Sequence, residues 1–306
     1  MERFQSGEAL PPSLRGGVAA LGNFDGFHLG HQEVVGWAVQ RARAAGRPAL
    51  VVTFDPHPTR LFKPDQPPFA LTTLSQKLRL LEAAGADAVC VLPFDRTLAN
   101  CTADAFVSDW LAARLGVSAV VTGHDFTFGR NRCGDTAALQ LLGQANGFET
   151  KVVSPVKLAG GIVSSSQIRN LLRTGDAEGA AALLTRPYTI EGIAKLGIAV
   201  GVPAGGMPFG EYLRPTFGLY AVCAKLEDGR RIDGLANCGI SSKFGPTEEL
   251  MELYLVERDG GPSGGQLEIE LCRLLVPQWR IDGASTAEMG LFRQDGLSPF
   301  AATHPG

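Results

Sequence analysis

The chain has 306 residues, enough for two domains that each bury a core. Apolar residues make up 45% and charged residues 19%, with a formal net charge of −3; this excludes a disordered chain and gives no bulk electrostatic case for a nucleic-acid partner. The longest apolar runs, 49–54 and 86–94, are too short to span a bilayer, and the start carries Glu2 with no long apolar stretch, so a membrane or secretory role is not expected and the expected location is the cytoplasm. Cys90, Cys101, Cys133, Cys223, Cys238 and Cys272 show no C-x-x-C spacing, which reads as reduced thiols and not as a disulfide or zinc framework.

In chain order, the first half alternates short apolar runs with helical patterns. Strands are predicted at 17–22, 49–54, 86–92, 118–123 and 151–154, and helices at 31–45, 75–84, 103–115 and 136–146. Gly46, Gly85, Gly116 and Gly147 stand where those helices should stop. Such alternation predicts a parallel sheet with right-handed crossovers, a Rossmann-like α/β domain. A helix pair follows at 166–173 and 177–184, split by Gly175. Arg186-Pro187 then reads as a linker, which divides the chain into 1–185 and 186–306. Beyond it, strands are predicted at 217–226, 232–237, 250–257 and 266–275, with a hairpin signal at Asp228-Gly229 and a glycine-rich loop at 260–265. This suggests a small antiparallel β-barrel with one late helix near 286–294.

The most informative stretch is Gly22-Asn23-Phe24-Asp25-Gly26-Phe27-His28-Leu29-Gly30-His31. It lies where the first predicted strand hands over to a helix. A helix N-terminus offers unpaired N–H groups and a positive dipole end, so it attracts anions. His28 and His31 there can donate hydrogen bonds to phosphate oxygens as charge moves toward a leaving pyrophosphate. Gly26 and Gly30 permit close backbone approach, and Asn23 and Asp25 can shape the turn or position a nucleotide or metal. A turn that merely happens to contain two histidines is the plainer reading, and the pairing around Gly30 works against it.

Ser164-Ser165-Ser166-Gln167-Ile168-Arg169 is a second phosphate candidate, because Ser166 and Arg169 share one side of a helix. Taken alone it reads as a serine cap with a surface arginine. Beside the histidine motif it reads as phosphate-binding. Two further clusters, 53–58 with His57 and 123–130 with Asp125, Phe126 and Phe128, follow other strands and can line the same cleft. The aromatic pair can hold a planar ring and Asp125 can accept a ring N–H. No P-loop, zinc helix or nucleophile elbow is present in the sequence.

Taken together and in order, GNFDGFHLGHQ, TFDPHP, LTTLSQKLRLLEAAGADAVCVLPFD, GHDFTFGRNRCGD, VSSSQIRNLLRTGD and AALLTRPY resemble the FMN adenylyltransferase half of the bacterial bifunctional riboflavin kinase/FAD synthetase family. The resemblance implies that ATP and FMN, with Mg²⁺, give FAD and pyrophosphate. It implies that Gly22, Asn23, Phe24, Asp25, Gly26, Gly30, His28 and His31 serve the ATP phosphates, and that Ser164, Ser165, Ser166 and Arg169 close over them. It assigns Asp125, Phe126, Phe128, His57 and Phe62 to the flavin. The metal's protein ligands stay open, since ATP and water can supply most of its coordination.

The second half resembles the family's kinase barrel at 218–222, 235–237 and around Glu252. It departs where the family carries G-F-P-T-A-N. Here 201–206 reads Gly-Val-Pro-Ala-Gly-Gly, so Ala204 and Gly206 replace the hydroxyl and amide that the family uses on metal and phosphate, and the glycines are expected to loosen this loop. Asn237 is retained. Glu252 stands at the family's general-base position but is expected to be an exposed strand carboxylate. Kinase activity is therefore expected to be weak or absent. Two other functional readings remain open: nucleotidyl transfer to a different phosphorylated acceptor, and a non-catalytic flavin or nucleotide sensor.

Overall fold

The computed structural model describes residues 1–5, 10–199, 202–241, 247–255 and 265–277. The chain divides into two compact units, Met1–Pro67 with Thr72–Ser165, and Pro68–Leu71 with Ser166–Gly306. In this division the residues from 166 to 184 group with the second unit, whereas the sequence reading ends its first domain at 185.

The first unit runs β1 (Glu2–Gln5), β2 (Val18–Leu21), α1 (Leu29–Ala44), β3 (Ala49–Asp55), α2 (Pro58–Phe62), α3 (Leu74–Ala83), β4 (Ala88–Pro93), α4 (Arg96–Ala99), α5 (Ala103–Ala105), β5 (Ala119–Gly123), α6 (Thr136–Ala145), β6 (Glu149–Val153) and the small hairpin β7 (Lys157–Leu158) and β8 (Gly161–Ile162). The expected helix over 103–115 is a single α-turn that widens into a π-helix at Phe106–Arg114. The sheet has the order β1-β4-β3-β2-β5-β6 and is parallel throughout. Its connectivity runs from β2 outward through β3 and β4, then returns to the other side of β2 as β5 and β6. The carboxyl ends of β2 and β5 therefore flank the point where the winding reverses, which is where open α/β sheets bind ligands. Edge strand β1 is not among the predicted elements, because Glu-Arg-Phe-Gln carries no apolar run.

The strands are buried on both faces, so alternate residues serve two cores. Ala19 and Leu21 of β2 pack with Leu50, Val52, Val120, Leu111 and Leu139. Val18 and Ala20 pack on the opposite face with Val34, Val35 and Ala38 of α1 and with Leu78 and Leu81 of α3.

In the second unit, α7 (Ser165–Thr174, its first residue in the first unit) and α8 (Ala177–Leu184) precede β9 (Tyr188–Ala199), β10 (Val202–Pro208), β11 (Gly218–Leu226), β12 (Arg231–Ser241), β13 (Glu248–Leu255) and β14 (Gly265–Pro277). These six strands close a barrel in the order β10-β13-β12-β11-β14-β9, with antiparallel pairs all round. The barrel agrees with expectation, but two of its strands correct it. β9 occupies the stretch after the expected linker, and β10 occupies the expected kinase loop. Gly192, Gly197, Pro203, Gly205 and Gly206 weaken the strand signal there; barrel closure overrides it by pairing β9 with β10 and β14, and β10 with β13. The Asp228-Gly229 signal does make the β11–β12 hairpin, where Leu226 N bonds Arg230 O at 2.9 Å. The late helix expected near 286–294 lies outside the described residues.

Candidate active site

The turn after β2 is tight and strained. Phe24 and Phe27 adopt positive φ (51° and 42°), a conformation that bulky L-residues rarely take, and Gly26 sits at 83°. Hydroxyl groups from neighbouring elements hold it. Thr53 Oγ1 donates to Asn23 O at 3.1 Å, Thr122 Oγ1 to Leu21 O at 3.0 Å, and Ser165 Oγ to Asp25 O at 2.9 Å. Asp25 is 4% exposed; its Oδ1 accepts from both the backbone N–H and the hydroxyl of Thr72. Asp25 thus shapes the turn. Asn23 Oδ1 is buried with no hydrogen-bond partner among the described residues, which leaves it able to accept from a ligand.

His28 is the N-cap of α1, and its Nδ1 accepts from the His31 backbone N–H at 3.4 Å. The two imidazoles stack, with centroids 3.6 Å apart and planes 18° apart. The Phe24 ring meets His31 edge-on at 5.3 Å. Gly30 has a steric reason to be glycine: a Cβ there would lie 3.2 Å from His28 Cε1 and 3.3 Å from Nδ1. The first turn of α1 carries no acidic residue, so no side chain there offsets the positive end of the helix dipole. The result is a stacked imidazole pair, with His28 buried and His31 half-buried, at the N-terminus of a helix, which suits an anion.

The structure brings Ser165 onto this turn, and the Val163 carbonyl lies 3.7 Å from the Gly30 Cβ position, so the 163–165 segment and the histidine motif are neighbours within the first unit. Ser166, which is exposed, and Arg169 belong to the second unit. There Arg169 Nε donates to Phe69 O at 2.9 Å, and its guanidinium stands 5.3 Å from the Phe69 ring centroid.

The flavin candidates divide by burial. His57 caps α2, its Nδ1 accepting from Thr59 N at 3.2 Å. Phe62 is 65% exposed and meets Phe94 edge-on at 6.0 Å. Phe94 in turn meets Phe54, Phe54 meets Phe106, Phe106 meets Phe128, and Phe128 stacks on Phe126 at 5.7 Å. A continuous run of six rings therefore joins the carboxyl ends of β3, β4 and β5. Phe128 is not a free face as expected but a core ring, 7% exposed, turned inward by the paired backbone bonds between Phe128 and Gly134. Phe62 and half-buried Phe126 present the accessible ends. Asp125 projects into solvent, 4.0 Å from His124 Nδ1. The sequence reading placed Thr53 in the 53–58 cluster without giving it a role, and missed Thr122 and Phe94. The signal for the threonines was a hydroxyl at the end of an otherwise apolar strand.

In the barrel, Ala204 lies opposite Tyr254, and Gly206 opposite Glu252, which in turn pairs with Asn237 across the next strand. Glu252 corrects the expectation of an exposed carboxylate. It is 3% exposed, and its Oε2 accepts from Tyr254 Oη at 2.9 Å. Burial, then the charge of Glu252, push the Tyr254 phenol up, so it stays a donor at neutral pH. Asn237 Oδ1 is buried without a hydrogen-bond partner among the described residues.

A family model for FAD synthetase matches residues 10–167, and one for riboflavin kinase matches residues 184–286. The bifunctional riboflavin kinase/FMN adenylyltransferase of Haemophilus influenzae is 34% identical over 85% of each chain. Those of Pseudomonas fluorescens and Bacillus subtilis are 36% and 32% identical, covering 82% and 93% of this chain and 82% and 92% of their own. The chain belongs to the bifunctional riboflavin kinase/FMN adenylyltransferase family. Nearly all of the FAD synthetase match falls in the first unit, and the barrel lies within the riboflavin kinase match. A solved structure described as a macrolide-efflux protein from Streptococcus pneumoniae shares the fold, with a TM-score of 0.84 over 96% of this chain and 97% of its own at 23% identity. No helix among the described residues is long and apolar enough to cross a membrane.

Proposed function

We propose that residues 1–185 transfer the adenylyl group of ATP to FMN, releasing pyrophosphate, and that residues 186–306 phosphorylate riboflavin weakly or not at all. The observation that carries the first part is the stacked His28–His31 pair at the N-terminus of α1, next to a turn held by the hydroxyls of Thr53, Thr72, Thr122 and Ser165. An oxygen of the FMN phosphate attacks the α-phosphorus, and the bond from that phosphorus to the bridging oxygen breaks. The electron pair leaves on pyrophosphate. The attacking group is already an anion, so the site needs charge neutralisation and alignment more than a general base. The ring N–H groups and the N–H groups of the turn meet the charge that grows on the leaving side. Exposed Phe62 and half-buried Phe126 offer apolar faces to the isoalloxazine.

Among the described residues no group of three or more His, Cys, Asp or Glu side chains gathers to hold a metal. The metal's protein ligands stay open, since phosphate oxygens and water can supply most of the coordination of a magnesium ion. When bound, that ion would neutralise triphosphate charge. For the kinase, Ala204 and Gly206 offer neither hydroxyl nor amide beside Tyr254 and Glu252. A retained base without those groups is poorly equipped for phosphoryl transfer.

The test is to incubate the full chain with FMN, ATP and Mg²⁺ and to separate the flavins by chromatography. FAD and pyrophosphate should appear in equal amounts. Absence of FAD, where a related enzyme makes it, rejects the reading. Pyrophosphate release without any flavin points to another acceptor. Substantial FMN or FAD from riboflavin overturns the kinase claim.

A further inference from the structure

The segment Thr72-Thr73-Leu74-Ser75-Gln76-Lys77 is tied to the nucleotide turn by more than the Thr72 bonds to Asp25 already described. Thr72 donates to Asp25 Oδ1 from its backbone N–H at 3.1 Å and from its hydroxyl at 3.3 Å. The same hydroxyl accepts from Gly26 N at 3.1 Å. One threonine therefore holds both the side chain and the backbone of the turn.

Lys77 lies one helical turn further on. Its place is fixed by a capping box, in which Thr73 Oγ1 accepts from Gln76 N at 3.2 Å and Gln76 Oε1 accepts from Thr73 N at 3.0 Å. The ammonium-bearing residue is 6% exposed in the first turn of α3. Desolvation and the dipole of its own helix both oppose a cation there. Burial pushes its pKa down, and the charges of Asp25 and Asp55 work against that shift. Asp25 belongs to the turn that meets ATP. Asp55 ends β3, directly before Pro56 and His57 on the flavin side. A lysine needed only for packing would cost less as leucine or methionine.

We propose that Thr72 and Lys77 are positioning residues for adenylyl transfer. Thr72 aims the N–H groups of the nucleotide turn through Asp25, and Lys77 is the buried charge shared by the ATP turn and the flavin loop. Binding of one substrate thereby organises the site for the other. The inference rests on the FMN adenylyltransferase reading, and wild-type protein in the same assay keeps the two apart. Wild-type protein that makes no FAD sinks that reading, whereas active wild type with unaffected variants sinks this inference alone.

The experiment compares Thr72→Val, Thr72→Ser, Lys77→Met and Lys77→Arg in the full chain. It uses steady-state FAD formation, thermal unfolding, and calorimetric binding of FMN with and without α,β-methylene-ATP. Thr72→Val should raise KM for ATP and lower kcat, each by about tenfold, and leave KM for FMN within about twofold. Thr72→Ser, which restores the hydroxyl, should recover both. Lys77→Met should abolish the gain in FMN affinity that the ATP analogue gives, and Lys77→Arg should return part of it. Wild-type constants in Thr72→Val and Lys77→Met overturn the proposal. So does a loss that simply follows the unfolding midpoint through all four variants. Should Lys77→Met not fold, the two Thr72 variants decide the claim by themselves.

Discussion

Replacing Gly30 with alanine should separate stability from catalysis. Gly30 is the second residue of α1. Within a helix, alanine is favoured over glycine by roughly 0.5–1 kcal/mol, so the fold should tolerate the change or gain slightly. The new Cβ, however, would stand 3.2 Å from His28 Cε1 and 3.3 Å from Nδ1, against a comfortable separation of about 3.5–4.0 Å. The His28 ring must yield by roughly 0.3–0.5 Å. It cannot slide toward His31, whose ring already stacks on it at 3.6 Å, and its capping bond at 3.4 Å has little reach to spare. A misplacement of about 1 Å costs on the order of a hundredfold in rate, so this smaller one should cost about five- to tenfold in kcat. FAD formation under saturating ATP and FMN, measured beside a melting curve, checks this. Turnover within about twofold of wild type, with the melting point unchanged or raised, would refute the claim that His28 geometry governs the transfer.

Three other perturbations probe the site and its scaffold. His28→Ala should lower kcat by about 10²- to 10³-fold and alter FMN affinity far less, because the ring acts on charge that develops during transfer; equal losses in both would favour a sensor. Phe62→Ala removes a ring that is 65% exposed, so KM for FMN should rise by about three- to tenfold while the melting point stays put; unchanged flavin affinity would take Phe62 out of the flavin site. Asp87→Asn tests a tie at the amino end of β4, where hydrogen bonds from Arg43, and then the Ala49 N–H, hold the Asp87 carboxyl below its ordinary 3.8. Its folded pKa is depressed, so its contribution is present at neutral pH and is lost as pH falls below about 4. Unfolding curves of wild type and variant should therefore differ at pH 7 and converge in acid, and a constant difference at every pH would contradict the assignment.

Several positions that the sequence left unread or misread share one cause. Lys77 was not singled out in the sequence, and it falls three residues after Leu74 and four before Leu81, on the stripe that also places Leu78 in the core. The charges of Asp25, in the turn after β2, and of Asp55, at the end of β3, act on it there, which helical periodicity does not reveal. Glu252 likewise reads as a solvent-facing strand residue until barrel closure sets Tyr254 beside it and Gly206 and Asn237 on its flanks. Phe128 looked available as a flavin face, and the Phe128–Gly134 pairing turns it into the core. β9 and β10 carry too many glycines to be read locally as strands, and only their partners make them so.

What the amino-acid order determined by itself was local and periodic. The apolar runs of β2 to β5, the helices that end where Gly46, Gly85 and Gly147 take positive φ, and the placing of two histidines at a strand-to-helix junction all follow from short-range chemistry. The tertiary structure decided how distant residues meet: the stacking of the two imidazoles, the hydroxyls that reach the strained turn from β3, β5 and α7, the closed barrel and the burial of Lys77 and Glu252. Those depend on which segments become neighbours across tens of residues. Burial and hydrogen-bond geometry belong to the assembled neighbourhood and not to any stretch of chain read alone.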